Sequence, residues 1–277
     1  MVQLFTTIFY QPLLNLLVFL YNVIPGHDIG VAIIVLTILI KLILYPFSIK
    51  SIQSQKALQS LQPKIDALKN QYKNEKEKLA SAMMKLYKDE KVSPFSSCLP
   101  LLIQLPIFIT VYQVFRTGLS NGSLDLLYSF VANPGSLSPI AFGFFDLSKI
   151  LSSGIAISGI NLSSLTQILS TVFKLEFIIV ILASVSQIVQ MRMFSTKKPE
   201  IKSAGSQDEN MTAIMNKQMM FMMPLLTLFI GLTMPIGLSL YWFVNAIFTI
   251  IQQKLIFGAK DKDKNNNQIS NPTPINQ

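Results

Sequence analysis

The sequence predicts an all-α membrane protein: a five-transmembrane-helix bundle with a cytoplasmic helical hairpin and an N-terminal interfacial helix. Three observations predict it. Of 277 residues, 51% are hydrophobic and only 13% charged, with a mean hydropathy of +0.47, which is too apolar for an ordinary soluble domain. The apolar residues gather into runs long enough to cross a ~30 Å hydrocarbon core, which takes ~20 helical residues. The net charge of +9 is uneven, because no Lys or Arg precedes Lys41 whereas Lys50 to Lys91 is dense with Lys. Basic loops stay on the cytoplasmic side, so this asymmetry orients the bundle.

Residues 1–28 come first. Met1–Ile24 has no cationic start and no small-residue cleavage site, which argues against a cleaved signal. Gln3, Thr7, Gln11, Asn15 and Asn22 recur at near-helical spacing, opposite Phe5, Phe9, Leu13, Leu16, Leu17 and Leu20. A helix of that pattern lies in the membrane interface more readily than across it. It is expected on the outer face.

The core runs over residues 29–257. Span one, Ile29–Phe47, is IGVAIIVLTILIKLILYPF, with one full charge, Lys41, in its inner half. A cation at mid-membrane costs roughly 2.5–3.5 kcal/mol, so it is kept only if it snorkels, pairs or faces water. Snorkelling stays open here, because Lys41 lies roughly 7–8 Å from the Pro46 end. Thr37 lies one turn earlier on the same face.

Residues 51–92 are rich in Lys, Gln, Glu and Ala. Apolar positions Leu58, Leu61, Ile65, Leu68 and Tyr72 stop at Lys73-Asn74 and restart at Leu79, Met83, Met84, Leu86 and Tyr87. The pattern predicts an antiparallel hairpin. Span two, 99–115, holds Gln104 and Pro106, and a kink near the proline is expected. Residues 118–171 are diluted by Ser, Gly and Asn and are read as an outer loop. Span three, 175–193, carries Ser184, Gln187 and Gln190 and ends on Arg192.

Residues 195–217 form a basic inner loop. Met219–Phe257 is too long for one crossing, so it must fold back, with Pro235-Ile236-Gly237 as the outer turn between spans four (219–234) and five (238–257). Span five carries Ser239, Tyr241 and Asn245. The tail, 258–277, reads as disordered and cytoplasmic.

Several function classes are disfavoured. Cys98 and His27 each occur once, so a conventional zinc or redox centre is not expected, and no phosphate-binding loop is present. No cofactor is implied. Lys41 as a Schiff-base nucleophile would need a general base, and no Asp or Glu lies deep in a span. An unpaired cation among amides and hydroxyls implies instead a water-filled cavity suited to holding a polar or anionic segment. Met191, Met193, Met211, Met215, Met219, Met220, Met222 and Met223 crowd the inner ends of spans three and four, which suits either varied apolar partners or plain gap-filling. A small-solute or ion transporter could use the same cavity, but the paired broken helices and internal repeats common in transporters are not visible.

Four stretches carry a resemblance: TILIKLILYPFSIKS, LQPKI, MMKLYKDEKVSPFSSCLPLLIQLPIF and MPIGLSLYWFVNAIFTIIQQKLI. In order, they resemble the YidC insertases, the bacterial branch of a family with mitochondrial and chloroplast members. The resemblance implies a five-helix core around a hydrophilic groove that is open to cytoplasm and lipid and closed outside. It implies a non-enzymatic membrane insertase or chaperone of the bacterial plasma membrane, with its N-terminus outside and C-terminus inside. Its partners would be nascent membrane proteins, the ribosome, lipid and a Sec-type translocon. Lys41 stands where the family usually has Arg, which keeps the charge but loses the bidentate fork. Thr37 matches the family's groove threonine, and Tyr241 and Trp242 its aromatic pair. Gln104, Ser184, Gln187, Gln190 and Asn245 complete the expected groove, and residues 51–92 resemble the family's mobile lid. Relative to larger bacterial members, the chain looks like a minimal core without the large outer domain.

Overall fold

The computed structural model describes residues 2–72, 75–93, 99–118, 124–151, 175–194, 222 and 224–270. The expected inner loop, residues 152–171, the hairpin turn at Lys73-Asn74, Cys98, and Met211, Met215, Met219, Met220 and Met223 lie outside the described residues.

Helix α1, residues 2–23, is α-helical at Val2–Phe5 and Gln11–Val23, with a π-helical turn at Thr6–Tyr10 between them. Pro12 begins the second part and has no N–H to donate backward, which favours a change of winding there. Leu14, Leu17, Val18 and Tyr21 are buried. Gly26 and His27, both at positive φ, turn the chain into α2, Ile29–Ile43. Asp28 caps α2: its Oδ1 accepts from the N–H groups of Gly30 and Val31 at 2.7 and 3.1 Å.

The sequence places the end of the first apolar span at Phe47; its helix stops at Ile43 and the chain bends 69° before α3, Tyr45–Gln71. Pro46 explains the break, since it cannot donate to Leu42 and, in the first turn of α3, suits the start of a new helix. The hairpin's first helix therefore begins at Tyr45 rather than Ser51. Helix α4, Lys76–Asp89, returns beside α3, and a Lys64–Glu90 ion pair joins them. Of the two, only α3 buries residues fully, Ser51, Ile52, Leu61 and Ile65, whereas Leu79, Met83, Leu86 and Tyr87 of α4 are half-buried and Met84 is exposed.

Helix α5, Leu99–Gln113, runs into a π turn, Val114–Gly118. In the outer loop, β1 (Ile140–Ala141) pairs antiparallel with β2 (Phe145–Asp146). Helix α6 is Phe177–Phe194, α7 is Pro224–Thr233 and α8 is Ile236–Ser270. Pro235 bridges to Ile150, and the N–H groups of Ile236 and Gly237 donate to the carbonyls of Lys149 and Leu147 at 3.1 Å each.

Two expectations change here. Ile236 and Gly237 belong to α8 rather than to the turn, because the outer loop supplies acceptors for the helix's first N–H groups. Gly237 is needed for close approach, since a Cβ there would meet the Phe115 ring at 2.5–2.9 Å. The tail, read as disordered from Gly258, continues as helix to Ser270, because a helix already nucleated adds one hydrogen bond for each residue it extends.

Helix α8 is the hub. It packs most extensively on α6, then on α2, and touches α3. Around it, Leu42 and Ile43 on α2, Ile109 on α5, Ile178, Leu182, Val185 and Val189 on α6, Leu225 and Phe229 on α7, and Ile251 on α8 stand exposed. Such a continuous apolar girdle suits lipid rather than water. By length and composition, Gln3–Val23 and Ile236–Ile256 could each cross a membrane, and the bent α2–α3 pair makes a third if counted as one span. The hydrogen bonds of α1 are more informative. Asn15 Nδ2 donates to the carbonyls of Gln11 and Leu126 at 2.7 and 3.0 Å, and its Oδ1 accepts from Tyr128 N–H at 2.6 Å. Gln11 donates to Leu126 O and Asn22 to Ala132 O. The stripe read as facing headgroups is spent largely on the outer loop.

Candidate functional site

Lys41 occupies the last turn of α2, where the helix dipole favours a cation. Its ammonium turns inward and donates to Thr249 Oγ1 of α8 at 3.0 Å. Thr249 in turn donates to the Asn245 carbonyl at 2.8 Å. Among the described residues Lys41 pairs with no carboxylate. Thr37 is buried one turn above, and its hydroxyl donates to its own helix at Ile33 O, 2.7 Å away, rather than to Lys41.

Helix α5 forms the facing wall. Its backbone does not pack closely on α8; long side chains bridge the gap. Gln104 Nε2 donates to the hydroxyl of buried Tyr241, and Phe108 stacks on Trp242 with ring centres 5.3 Å apart. Gln104 and Phe108 are four residues apart on one face, so the aromatic pair clasps a single side of α5.

Helix α6 approaches α8 from another side. Ser184 is buried and donates to Val180 O at 2.9 Å. Gln187 is half-buried, and Gln190 has a buried Oε1 with no partner among the described residues. The structure thus joins Lys41, Thr249 and Asn245 in one chain, and Gln104 with Tyr241 in a second. It draws no hydrogen bond from Ser184, Gln187 or Gln190 to either among the described residues.

Sequence reading missed Thr249, Gln252 and Gln253. Their signal was present: Tyr241, Asn245, Thr249 and Gln253 recur every four residues, on one face of α8. Along that face the polarity changes with depth. Above Tyr241 the space between α1, α2 and α5 is apolar, lined by Leu17, Ile33, Leu36, Val111 and Phe115. Below it come Asn245, Thr249 with Lys41, and then the two glutamines.

The outer end is fastened separately. Lys149 donates to Glu176 at 3.0 Å and lies 3.9 Å from Asp146. The hydrogen bond to Glu176 holds the Lys149 ammonium above the usual Lys range. This cluster sits beside the carbonyls that cap α8 and closes that end.

Tyr241 thus separates an apolar pocket from a region that holds a cation and unpartnered amides. No metal-ligating cluster occurs among the described residues.

A family model described as "60Kd inner membrane protein" matches residues 19–264. The "Membrane protein insertase YidC" of Pelobacter propionicus is 32% identical over 250 residues, 90% of this chain and 38% of that protein. Those of Rickettsia prowazekii and Streptomyces avermitilis are 32% and 30% identical, over 83% and 90% of this chain and 35% and 53% of their own length. The chain therefore spans about a third to a half of these relatives. On a match of this extent, the chain belongs to the 60Kd inner membrane protein family, the family of the YidC insertases, and is an integral membrane protein.

Proposed function

We propose that this chain is a membrane protein insertase. It receives a nascent membrane protein in the groove between α2, α5 and α8 and releases its apolar helix into lipid, alone or with a Sec-type translocon. The observation that carries the reading is the Lys41–Thr249 contact, a cation held inside the bundle with no carboxylate partner among the described residues. The polar segment of a client brings acceptors to the spare N–H groups of Lys41, and Gln104, Asn245 and Tyr241 supply further hydrogen bonds. Thr37, Trp242, Ser184, Gln187 and Gln190 complete the polar wall. No covalent chemistry is needed. Burial of the client helix, at ~25 cal/mol per Å², and the membrane potential drive the transfer.

The same reading orients the chain. Helices α2, α5, α6, α7 and α8 would be the five spans, in a bacterial plasma membrane with the C-terminus inside. Because its polar stripe is tied to the outer loop, α1 would lie along the outer surface. Helices α3 and α4 would face the cytoplasm, where their lysines meet the ribosome, and would act as a lid.

The test is a photo-crosslinker replacing Lys41 in the full chain, offered a ribosome-stalled single-span client. Labelling of the client's polar segment is expected. Saturable solute uptake by liposomes holding the protein, with no client labelling, would overturn the proposal in favour of transport.

A further inference from the structure

Residues Gln252 and Gln253 lie one turn inward of Thr249, and at ~1.5 Å per residue they stand roughly 25 Å from Ile236. They are 3% and 0% exposed. Both amide groups, nitrogen and oxygen alike, have no hydrogen-bond partner among the described residues. Buried amides are costly to leave unpaired, and native proteins seldom do so. Gln252 and Gln253 are not alone: Asn245 Oδ1 on the same helix and Ser51 Oγ on α3, which touches α8, are also buried without partners. Unspent hydrogen-bonding groups thus gather along and beside α8 from Asn245 onward, whereas the space on the other side of Tyr241 is apolar.

Their chemistry differs from that of Lys41. An ammonium only donates, so it selects acceptors and above all carboxylates. A glutamine amide has a donor and an acceptor side by side, which matches the C=O and N–H of a peptide group. Such a group binds a polypeptide whatever its side chains or charge.

We propose that Gln252 and Gln253 bind the main chain of the client at the inner mouth of the groove, as a charge-blind contact that precedes the charge-selective one at Lys41. This rests on the insertase reading and deepens it. It assigns two functions to two facing helices: the glutamines of α8 hold any incoming chain, and Lys41 of α2 sorts by charge.

The test uses the full chain in liposomes and two synthetic single-span clients that differ only in an acidic or a neutral translocated segment. Q252M/Q253M replaces each amide by a near-isosteric apolar chain. It should lower insertion of both clients by the same factor, about five- to tenfold for the loss of a neutral hydrogen bond. K41M should lower only the acidic one. A second measurement is independent of the variant's folding. Replacing backbone amides of the neutral segment by esters removes main-chain donors and should slow insertion by the wild-type protein several-fold, but not by Q252M/Q253M. Equal insertion of amide and ester clients by the wild-type protein, or wild-type rates for Q252M/Q253M, would overturn the proposal. Failure of the wild-type protein to insert either client would overturn the insertase reading itself, and with it this one.

Discussion

Lys41 Nζ and Thr249 Oγ1 are 3.0 Å apart, although 208 residues separate them in sequence. The contact ties the last turn of α2 to α8 and fixes where the groove's charge points. Thr249 spends its own hydrogen on Asn245 O, so its hydroxyl oxygen is free to accept from the ammonium, the single acceptor Lys41 has among the described residues.

Neutralising that charge should be selective. A hydrogen bond to a charged group contributes about 1.5–3 kcal/mol, so Lys41→Met should slow insertion of an acidic-tailed client about ten- to a hundredfold. Lys41→Arg should keep the activity. Paired clients in a reconstituted insertion assay measure this, and equal rates for Lys41→Met and wild type would refute it.

Asp28 joins two elements. Besides capping α2, its Oδ2 accepts from the Phe142 N–H at 2.6 Å, which pins the β-hairpin to the outer end of that helix. Asp28→Ala should cost about 1–2 kcal/mol from the lost cap, seen as earlier melting in detergent, whereas Asp28→Asn should recover most of it.

Gly237 has no room for a methyl group against Phe115. Gly237→Ala should destabilise the protein by about 1–3 kcal/mol through overpacking, and Phe115→Leu in the same chain should relieve part of that loss. Melting of the single and double variants measures the coupling.

The bend at Leu44 sets the angle between α2 and α3. Pro46→Ala restores an amide donor and lets the helix continue, so the hairpin should swing away from α8. Spin labels at exposed Ser60 and Leu255 would read a shifted distance distribution, and an unchanged one would remove the proline from the account.

The outer fastening should respond to pH in a defined sense. Glu176 raises Lys149 above its ordinary value of 10.5, so the pair's contribution is present below that value and fades as pH rises through the raised one. The ammonium is largely exposed, so the effect is at most about 1 kcal/mol. In Lys149→Met the alkaline part of that decline in melting temperature should be absent.

Much of the architecture was legible in the chain. Apolar runs placed the helices of α2, α5, α6 and α8, and the Lys-rich pattern of residues 51–92 placed two helices where α3 and α4 stand. Lys41 was marked because a charge in an apolar run is expensive wherever it lies. The polar stripe of α1 was equally visible, but not its use: Asn15 reads the same whether it faces headgroups or the Leu126 and Tyr128 backbone.

What the sequence determined by itself was local and periodic: which stretches are helical, which face is greasy, where the lone cation sits. Tertiary structure decided whom each polar group meets. It turned Lys41 toward Thr249, drew Gly237 into α8 against Phe115, and left Gln252 and Gln253 buried without partners among the described residues. The reason is physical. Periodicity follows from helix geometry within a few residues, whereas a hydrogen bond across 208 positions depends on the packing of helices that no single stretch encodes.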